Sequence, residues 1–327
     1  MKVLRLGALA WIALLLTLLG VHVLLPQRSG PIALTEVFEP YLVVTGLIAS
    51  AFAFGAEPRI ARPLVAILLV FAVVRYGPGL ISVPSPGLGT PLQVMAWNIE
   101  AGPEAGQRAL AGVLRSDAGL VGLEELQPEA AAALEADGTV ATRLPYRALE
   151  PDDSVLGLGL LSVYPIVEHQ YLADPPVMRA VVDPGPGDPF AVFVVHPLPA
   201  RFVTIAGLTV ALNATKRDAD IAHIRSLIEA DLAAGRSVIV LGDINTTERE
   251  PAYAQVTAGL RDAHLEAGIG PGLTWRPPGL RSLPFGLLRI DYVFASPPFA
   301  VTSTFVDCGL RSDHCRLEAT IYLGTQL

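Results

Sequence analysis

Long apolar runs fill the first third of the chain and predict helices that span a membrane. The first run, Leu6 to Leu25, holds twenty residues without a formal charge. At about 1.5 Å of rise per residue, it crosses a hydrocarbon core of about 30 Å. The second run, Pro40 to Ala56, is near the lower length limit for a span. A signal peptide is the alternative for the first run, but no small-residue cleavage site follows it and further apolar runs do.

The third run, predicted at residues 61–81, decides on which side of the membrane the rest of the chain lies. Arg75 and Tyr76 interrupt it, so it either spans or lies in the interface. Basic residues precede the first run and separate the second from the third, whereas no Lys or Arg follows Arg75 until Arg108. Because Lys and Arg concentrate in cytoplasmic flanks, this favours three spans in the cell membrane, with the C-terminal domain on the extracytoplasmic side.

A change of composition marks the end of the apolar region. Residues 77–91 contain four Gly and four Pro, which is typical of a linker. The pattern therefore divides the chain into a membrane anchor at 1–76, a linker at 77–91 and a folded domain at 92–327.

After residue 91, short apolar runs typical of strands alternate with amphipathic segments typical of helices. The predicted strands are Leu92–Trp97, Gly119–Leu123, Gly157–Ser162, Val177–Val182, Phe190–Val195, Ser237–Leu241, Ile290–Ala295, Val301–Val306 and Leu317–Leu323. The predicted helices are Ala105–Arg115, Glu129–Glu135 and Arg217–Ala234. So many strands with few helices between them predict two packed sheets covered by helices.

The composition agrees with this division. Hydrophobic residues make up 52% of the chain and charged residues 17%, against about 25% charged in soluble domains. After residue 90, the chain carries 17 Lys and Arg against 28 Asp and Glu. This acidic balance disfavours salt-driven binding to a nucleic-acid backbone.

Polar side chains able to bind metal or phosphate recur at the ends of the predicted strands. Taken singly, each fits an ordinary turn or helix cap. Together they predict a cleft, because strand ends that converge on one edge of a sheet bring such side chains together. The residues concerned are Asn98, Glu124, Glu125, His196, Asp243, Asn245, Asp291, Ser312, Asp313 and His314.

With these residues in view, the sequence resembles the endonuclease/exonuclease/phosphatase superfamily of DNase I-like metal-dependent phosphoesterases, in a membrane-anchored bacterial form. The resemblance covers roughly residues 92–327. The matching blocks are, in the family's order, AWNIE (Ala96–Glu100), LEEL (Leu123–Leu126), VVHPL (Val194–Leu198), GDIN (Gly242–Asn245), RIDYVF (Arg289–Phe294) and SDH (Ser312–His314). The resemblance implies an α/β fold, a four-layered α/β/β/α sandwich preceded by transmembrane helices, with the active site at one edge of the sandwich.

The resemblance also implies a bound divalent metal, Mg²⁺ or alternatively Mn²⁺. It makes Glu125 the main metal carboxylate, Asp313 a second ligand and Asn98 the residue that orients metal or phosphate. These residue types suit the ion, because Mg²⁺ prefers oxygen ligands and keeps several waters, so that one or two carboxylates suffice.

The same resemblance implies catalytic roles. Asp243 would position and deprotonate the attacking water, and Asn245 would hold a phosphate oxygen. Asp291 would fix the ring of His314, while His196 and His314 would stabilise charge on the transferring phosphoryl group. An acid beside a histidine raises the pKa of the imidazole and fixes its tautomer, which suits that task.

Three positions depart from the family pattern. Glu124 stands where Gln is common, which predicts an extra negative charge near the metal. Pro197 separates His196 from the leucine that usually follows it and leaves the placement of His196 open. Val163 replaces a common Arg, and we expect it to remove one phosphate contact.

The stretch between Glu266 and Asp291 carries Arg276, Arg281 and Arg289 but no acid, interleaved with Trp, Phe and Leu. A basic, apolar loop beside the site suits an anionic lipid headgroup at a bilayer surface. The alternative is a loop whose leucines pack on the domain. With the membrane anchor, this loop favours a phospholipid or polyprenyl (pyro)phosphate as substrate. A nuclease and an inactive membrane-tethered binding protein are the alternative functions.

Two cysteines, Cys308 and Cys315, flank the Ser312–His314 segment. They either form a disulfide in an oxidising exterior or remain two buried thiols.

Overall fold

A computed structural model describes residues 2–53, 58–84, 86–185, 187–297 and 299–324. The end of the second predicted span, residues 54–56, and the last three residues of the predicted domain lie outside this part of the chain.

The described part of the N-terminal segment contains four helices. They are α1 (Lys2–Leu24), α2 (Pro31–Val37), α3 (Glu39–Ala53) and α4 (Pro58–Tyr76). Within the described residues, two stretches, α1 and Arg59–Gly79, are long and apolar enough to cross a membrane. The α2–α3 pair is bent by 79° and adds a third candidate if the bent pair is one span. The third apolar run thus forms a continuous helix. The second run is long enough to cross a membrane only if α2 and α3 together form one bent span.

An apolar seam joins α1, α3 and α4. Ile12, Leu15 and Leu19 of α1 are buried in it. Gly46 of α3 permits the close approach, since a Cβ there would lie 2.4 Å from Leu15 Cδ2. Small residues at such contacts are typical of helix packing in membranes.

Two six-stranded sheets form the centre of the C-terminal domain. In spatial order, the first contains β14 (Ala300–Asp307), β15 (Arg316–Leu323), β2 (Thr90–Asn98), β3 (Leu120–Glu124), β5 (Leu158–Ser162) and β4 (Tyr146–Glu150). The second contains β12 (Arg261–Asp262), β13 (Asp291–Ala295), β11 (Val238–Asp243), β8 (Phe190–Val195), β7 (Pro176–Val182) and β6 (Ile166–Ala173). A small third sheet contains β1 (Ser29–Gly30), β10 (Leu208–Asn213) and β9 (Arg201–Ile205).

Helices cover the outer faces of the two large sheets. The first sheet is covered by α5 (Ala105–Arg115), α6 (Pro128–Ala136) and α7 (Gly138–Arg143). The second sheet is covered by α8 (Thr215–Ala233) and α9 (Pro251–Val256). The remaining elements are α10 (Ala263–Ala267) and short 3-10 turns at Gly77–Gly79 and Pro278–Leu280. Ala96 and Leu241 are buried between the sheets. Their neighbours Trp97 and Val240 are buried under the helices, because side chains alternate along a strand. The expected mixed α/β sandwich with two sheets is confirmed.

The nine predicted strands all occur, with ends shifted by at most two residues. β2 begins at Thr90 and thus inside the predicted linker. The predicted set omits β4, β6, β9 and β10, together with two strands of two residues each. All five residues of β9 are exposed, so a periodic core-facing pattern is absent there.

The N-terminal helices dock on the domain beside one edge of the sandwich. β1 follows α1 and pairs with β10, and α2 packs on β10 through Val37 and Leu212. The Tyr41 hydroxyl of α3 donates to the Leu287 carbonyl. These contacts place α2 and the start of α3 next to the site described below.

Candidate active site

Strand direction brings the predicted site residues to one edge of the sandwich. β2 and β3 run parallel and end side by side at Asn98 and Glu124, which are cross-strand partners. In the second sheet, β11 ends at Asp243, directly opposite Asp291 at the start of antiparallel β13. His314 precedes β15, which runs antiparallel to β2, and so reaches the same edge. Both sheets therefore contribute polar side chains to one place.

Asn98 connects two carboxylates at the centre of the site. Its Nδ2 donates to Glu125 Oε1 over 3.0 Å and lies 3.3 Å from Asp243 Oδ2. The second oxygen of Glu125 accepts the N–H of Ala101 over 2.8 Å. Glu125 has a φ of 57°, a left-handed conformation that turns the chain directly after β3. Asn98 thus holds Glu125 and Asp243 beside each other.

His314 is held by Asp291. Both carboxylate oxygens of Asp291 lie 3.0 Å from His314 Nδ1, and the Thr274 hydroxyl donates to the same carboxylate. Burial disfavours a charged ring, but the charges of Asp291 and Asp243 outweigh it and raise the pKa of His314 well above its ordinary value. The charged imidazolium form of the ring is therefore favoured.

His196 reaches the site despite the following proline. Its Nδ1 lies 3.1 Å from the Val155 carbonyl, and because a carbonyl only accepts, Nδ1 is the donor. Its Nε2 lies 3.6 Å from Asp243 Oδ2 and 3.9 Å from Glu125 Oε1. Burial opposes protonation, but Asp243 and Glu125 together raise the pKa of His196. The Nε2 atoms of His196 and His314 thus both lie 3.6 Å from Asp243 Oδ2.

Asp243 lies between these two imidazoles. Burial alone would raise the pKa of its carboxyl, but His314 and His196 outweigh burial, and the pKa falls below its ordinary value. The backbone N–H of Asn245 donates to Asp243 Oδ1 over 2.8 Å. The Asn245 side chain donates to the Pro197 carbonyl over 3.1 Å. Asp243 is therefore an ionised carboxylate, and Asn245 is fastened to the wall beside it.

Asp313 lines the same cavity, farther from the central carboxylates. Its Oδ1 lies 4.0 Å from His314 Nε2, and its N–H donates to Glu100 Oε2 over 3.0 Å. Burial raises the pKa of Asp313 to about 6, with His314 opposing and Glu100 and Glu125 reinforcing the shift. A nearby cation would stabilise its ionised form.

Arg276 and a disulfide fasten the segment that carries Asp313 and His314. The buried Arg276 guanidinium donates to the Cys308 carbonyl over 3.1 Å and also to the carbonyls of Leu283 and Ser312. Of the two alternatives for the cysteines, the structure contains the Cys308–Cys315 disulfide. Both ends of the segment are thus tied to the domain.

The basic loop between Glu266 and Asp291 does not expose all three of its arginines, as a basic surface patch would. Arg276 is fully buried, and Arg289 is buried against Asp262. Arg281 is the exposed member of the three, and it pairs with Glu100. Two of the three guanidinium groups are therefore engaged inside the protein, whereas Leu280 and Phe285 of the same stretch are exposed.

Glu124, which stands where the family commonly has Gln, does not supply the negative charge that its residue type suggests. Glu124 is fully buried, and neither of its carboxylate oxygens has a hydrogen-bond partner among the described residues. Burial, reinforced by the charges of Asp291 and Asp243, raises the pKa of Glu124 well above its usual range. The neutral acid is favoured, in place of the expected negative charge.

The departure at Val163 lies away from the site. β5 runs antiparallel to β3, with Leu158 opposite Glu124 and Ser162 opposite Leu120. Val163 therefore follows β5 at the opposite edge of the sheet. The expectation that this residue replaces a phosphate contact is wrong.

A cavity of about 370 Å³ lies over the polar cluster. Its polar end is lined by Glu125, His196, Asp243, Asn245, Asp313 and His314. Its apolar wall includes Val37 of α2, Phe202 of β9, Leu212 of β10 and Leu288. The cavity therefore connects the carboxylates and imidazoles with the N-terminal helices.

The donor set of this cavity fits a hard divalent cation. Among the described residues, ligand atoms of Asp243, Asp291 and His314 lie within 4.8 Å of one another. Glu125 adds a carboxylate, which the Asn98 Nδ2 holds next to Asp243. Several carboxylates crowded at a buried site require positive charge nearby, and oxygen donors of this kind suit Mg²⁺ or Mn²⁺.

Sequence comparison assigns the family. The chain belongs to the Endonuclease/Exonuclease/phosphatase family, whose sequence model matches residues 95–314. Members of this family are phosphoesterases and nucleases. The match extends from the end of β2 to His314 and so contains the polar cluster. No curated protein matches the chain significantly.

Solved structures share the fold. A conserved protein of unknown function from Enterococcus faecalis V583 has a TM-score of 0.56 and 19% identity, covering 72% of this chain and 100% of its own. TDP2 of D. rerio, solved with a single-strand DNA product, has a TM-score of 0.54 and 19% identity, covering 71% and 99%. A mannosyl-6-phosphatase of Bacteroides thetaiotaomicron has a TM-score of 0.51 and 17% identity, covering 70% and 99%.

Residues outside the sequence-based set also contribute to the site, among them Thr274, Arg217 and Val37. Thr274 donates to Asp291, Arg217 donates to the Asn245 carbonyl over 2.8 Å, and Val37 lines the cavity. Thr274 lies in a loop without strand periodicity, and Val37 belongs to the predicted anchor. No local signal in the sequence marks either position as part of a site.

Proposed function

We propose that the chain is a membrane-anchored, metal-dependent phosphoesterase that hydrolyses a lipid-linked phosphate ester or pyrophosphate. The observation that carries this proposal is the composition of the cavity. Carboxylates and imidazoles line this cavity together with apolar side chains of α2 and of the β9–β10 region. A phosphate at the polar end would leave an apolar tail directed along a wall that adjoins the N-terminal helices.

The residues that would hold the metal are Glu125 and Asn98, with Asp313 within reach of the same cavity. When bound, a divalent cation neutralises charge on the nonbridging oxygens of the phosphate and orients the group for in-line attack. Asn98 keeps Glu125 pointed at Asp243 through its amide. Exclusion of bulk water at this buried end strengthens each of these electrostatic interactions.

The remaining side chains act on protons and on developing charge. Asp243 is ionised and lies between two imidazoles, so it is suited to orient a water and accept its proton. His314 directs Nδ1–H at Asp291 and leaves Nε2–H for a phosphate oxygen. The His196 Nε2 lies on the opposite side of Asp243 and stabilises charge in the same way. Asn245, which the resemblance assigned to a phosphate oxygen, donates its side-chain amide to the Pro197 carbonyl and lies 3.3 Å from Asp243 Oδ2, so its role here is to support the geometry of Asp243.

The proposed location is the cell membrane, with several spans and an extracytoplasmic domain. α1 ends and α3 begins beside the domain, and α4 ends there as well, so Lys2 and Arg59 lie at the far helix ends. Basic residues at those ends are typical of a cytoplasmic side. The Cys308–Cys315 disulfide suits an oxidising exterior.

The test uses the full chain reconstituted in liposomes with Mg²⁺ or Mn²⁺. A panel of phospholipid phosphates, polyprenyl (pyro)phosphates, a soluble phosphate ester and plasmid DNA would be compared for wild type, Asp243→Asn and His314→Ala. We expect hydrolysis of lipid-linked phosphate that both substitutions and metal chelation abolish. Equal activity in all three proteins would reject the site assignment.

Nuclease activity is the second candidate. The structural similarity to a TDP2 solved with single-strand DNA product favours it. The acidic balance of residues 91–327 opposes it, because phosphate backbones attract basic surfaces. Nicking of plasmid DNA without hydrolysis of any lipid phosphate would select the nuclease over the lipid phosphoesterase.

A further inference from the structure

The β9–β10 hairpin is a protruding apolar element that the polar cluster does not use. The side chains of Ile205 and Leu208 next to its tip are 64% and 71% exposed, and Phe202 and Val203 are exposed as well. Exposed edge strands of water-facing proteins are usually blunted by charges. Between Arg201 and Asn213 the hairpin carries no further charge. An exposed apolar surface of this kind marks a site of interaction.

The base of the hairpin is joined to the end of α1. Ser29 and Gly30, five residues beyond that helix, pair with Asn213 and Leu212 of β10. The Ala214 N–H donates to the Arg28 carbonyl over 3.0 Å. The hairpin therefore starts where the first apolar helix ends.

The hairpin then runs along α2 toward the start of α3. Phe202 and Thr209, on its two strands, share an apolar groove with Leu34, Phe38 and Leu42. Leu42 lies in the first turns of α3, which together with α1 forms the apolar bundle. Ile205 and Leu208 lie closer to the tip of the hairpin than Phe202 and Thr209 do on the same two strands.

Two basic residues, Arg201 and Lys216, flank the hairpin in the sequence, and no Asp or Glu lies between Asp188 and Asp218. Lys216 is compensated by ion pairs with Asp174 and Asp220, whereas Arg201 is exposed at the base of the hairpin. An exposed basic residue on an apolar element is attracted to the headgroups of anionic lipids, while the apolar tip favours the acyl region.

We propose that the β9–β10 hairpin inserts its tip into the surface of the bilayer that holds α1, and that this contact presents the cavity mouth to lipid. The partner is the lipid bilayer itself, and Phe202 connects the inserted tip with the apolar wall of the cavity. This inference rests on the membrane anchoring in the proposed function, but not on the identity of the substrate.

The experiment measures the depth of a spin label in the full chain. Leu208→Cys and the control Val167→Cys, an exposed position on edge strand β6, are labelled with a nitroxide without reductant, so that the disulfide stays closed. The protein is placed in nanodiscs of phosphatidylcholine and phosphatidylglycerol. We expect the label at 208 to be relaxed by oxygen more than by a water-soluble nickel chelate, and the label at 167 to show the reverse. Equal nickel access at both positions would overturn the proposal.

A second measurement connects the hairpin with turnover. Leu208→Asp adds a charge at an exposed tip, so the fold is expected to keep its melting temperature. Hydrolysis of a bilayer-embedded phosphate should fall about tenfold, the cost of losing one buried leucine contact with lipid, while a soluble ester is hydrolysed as before. Unchanged hydrolysis in bilayers contradicts the hairpin contact. Inactivity of the wild type on every lipid would instead reject the proposed function, and the label depths would still decide the inference.

Discussion

The Nε2 atom of His314 lies 3.6 Å from Asp243 Oδ2, while Asp291 holds the opposite nitrogen of the same ring. Asp291→Asn keeps the shape of the residue but removes the charge that favours the imidazolium. We expect kcat to fall by about 10²–10³-fold, as for the loss of one stabiliser of transition-state charge. KM should change little, because the interaction matters mainly in the transition state. Steady-state kinetics on a soluble phosphate ester measure both quantities.

The matched control for that substitution is Asp188→Asn, which neutralises an exposed carboxylate outside the cavity. Its kinetics should equal those of the wild type. An Asp291→Asn enzyme as active as this control would show that His314 does not depend on Asp291.

Arg276 holds the segment that carries Asp313 and His314, so we expect its replacement to displace that segment. Arg276→Lys replaces a forked guanidinium, which donates to three carbonyls, by a single ammonium group. A displaced segment moves His314 from Asp243, and misplacement by about 1 Å costs up to about 10²-fold in rate. The measurement is the rate of ester hydrolysis together with the unfolding midpoint. Arg115→Lys, at an exposed helix end, is the control and should change neither.

We expect Gly112→Ala to destabilise the protein, although alanine normally favours a helix more than glycine does. Replacement of Gly by Ala inside a helix normally stabilises it by about 1 kcal/mol. A Cβ at Gly112 of α5, however, would lie 2.0 Å from Cζ3 of the fully buried Trp97. We expect Gly112→Ala to lower the free energy of unfolding by about 1–3 kcal/mol, as in other overpacked cores. Gly138→Ala in α7 meets open space and should be neutral or stabilising; denaturant unfolding compares the two, and equal stabilities would contradict the prediction.

His264 predicts a pH dependence of stability. Burial, with the charge of Arg289, lowers the pKa of His264, and its Nε2 and Nδ1 lie 3.0 Å from the Gly270 carbonyl and the Thr304 hydroxyl. The unfolded chain binds a proton near pH 6.5, whereas the folded chain does so only at lower pH. Stability from this group is thus complete above pH 6.5 and falls below it, by at most about 1.4 kcal/mol per pH unit.

Thermal unfolding between pH 5 and 8 tests this sign. His264→Gln lacks the titrating ring, so its melting temperature should fall less on acidification than that of the wild type. Parallel curves for the two proteins would assign the pH dependence to other groups.

The convergence of the polar residues was accessible from the sequence because it depends on strand ends. Asn98 and Asp243 each follow an apolar run, and the alternation of buried side chains fixes where such a run stops. The family motifs then supply the order of the strands. The pairing of β2 with β3 and of β11 with β13 brings the ends together within each sheet, and the packing of the two sheets through their shared core brings both sets to one edge.

Other features depend on contacts between distant parts of the chain. Arg276 has the sequence context of a surface residue, and its burial follows from carbonyls of Cys308 and Ser312, which lie more than thirty residues away. The hairpin strand β9 has both faces exposed. Its sequence therefore lacks the alternation of buried apolar and exposed polar residues that predicts a strand. Val37 joins the cavity because α2 packs on β10, a contact that local periodicity does not encode.

The way in which the domain is attached to the N-terminal helices limits what the proposed enzyme can reach. Contacts at β1 and between the Gly270 N–H and the Leu80 carbonyl, 3.0 Å apart, add to those of α2 and Tyr41. The domain is therefore attached at several points rather than by a free tether. In a membrane, the reacting groups would then stay at one height above the leaflet. Such an enzyme samples lipids by lateral diffusion in its own membrane, so its saturation would depend on molecules per unit area and not on the concentration in the surrounding solution.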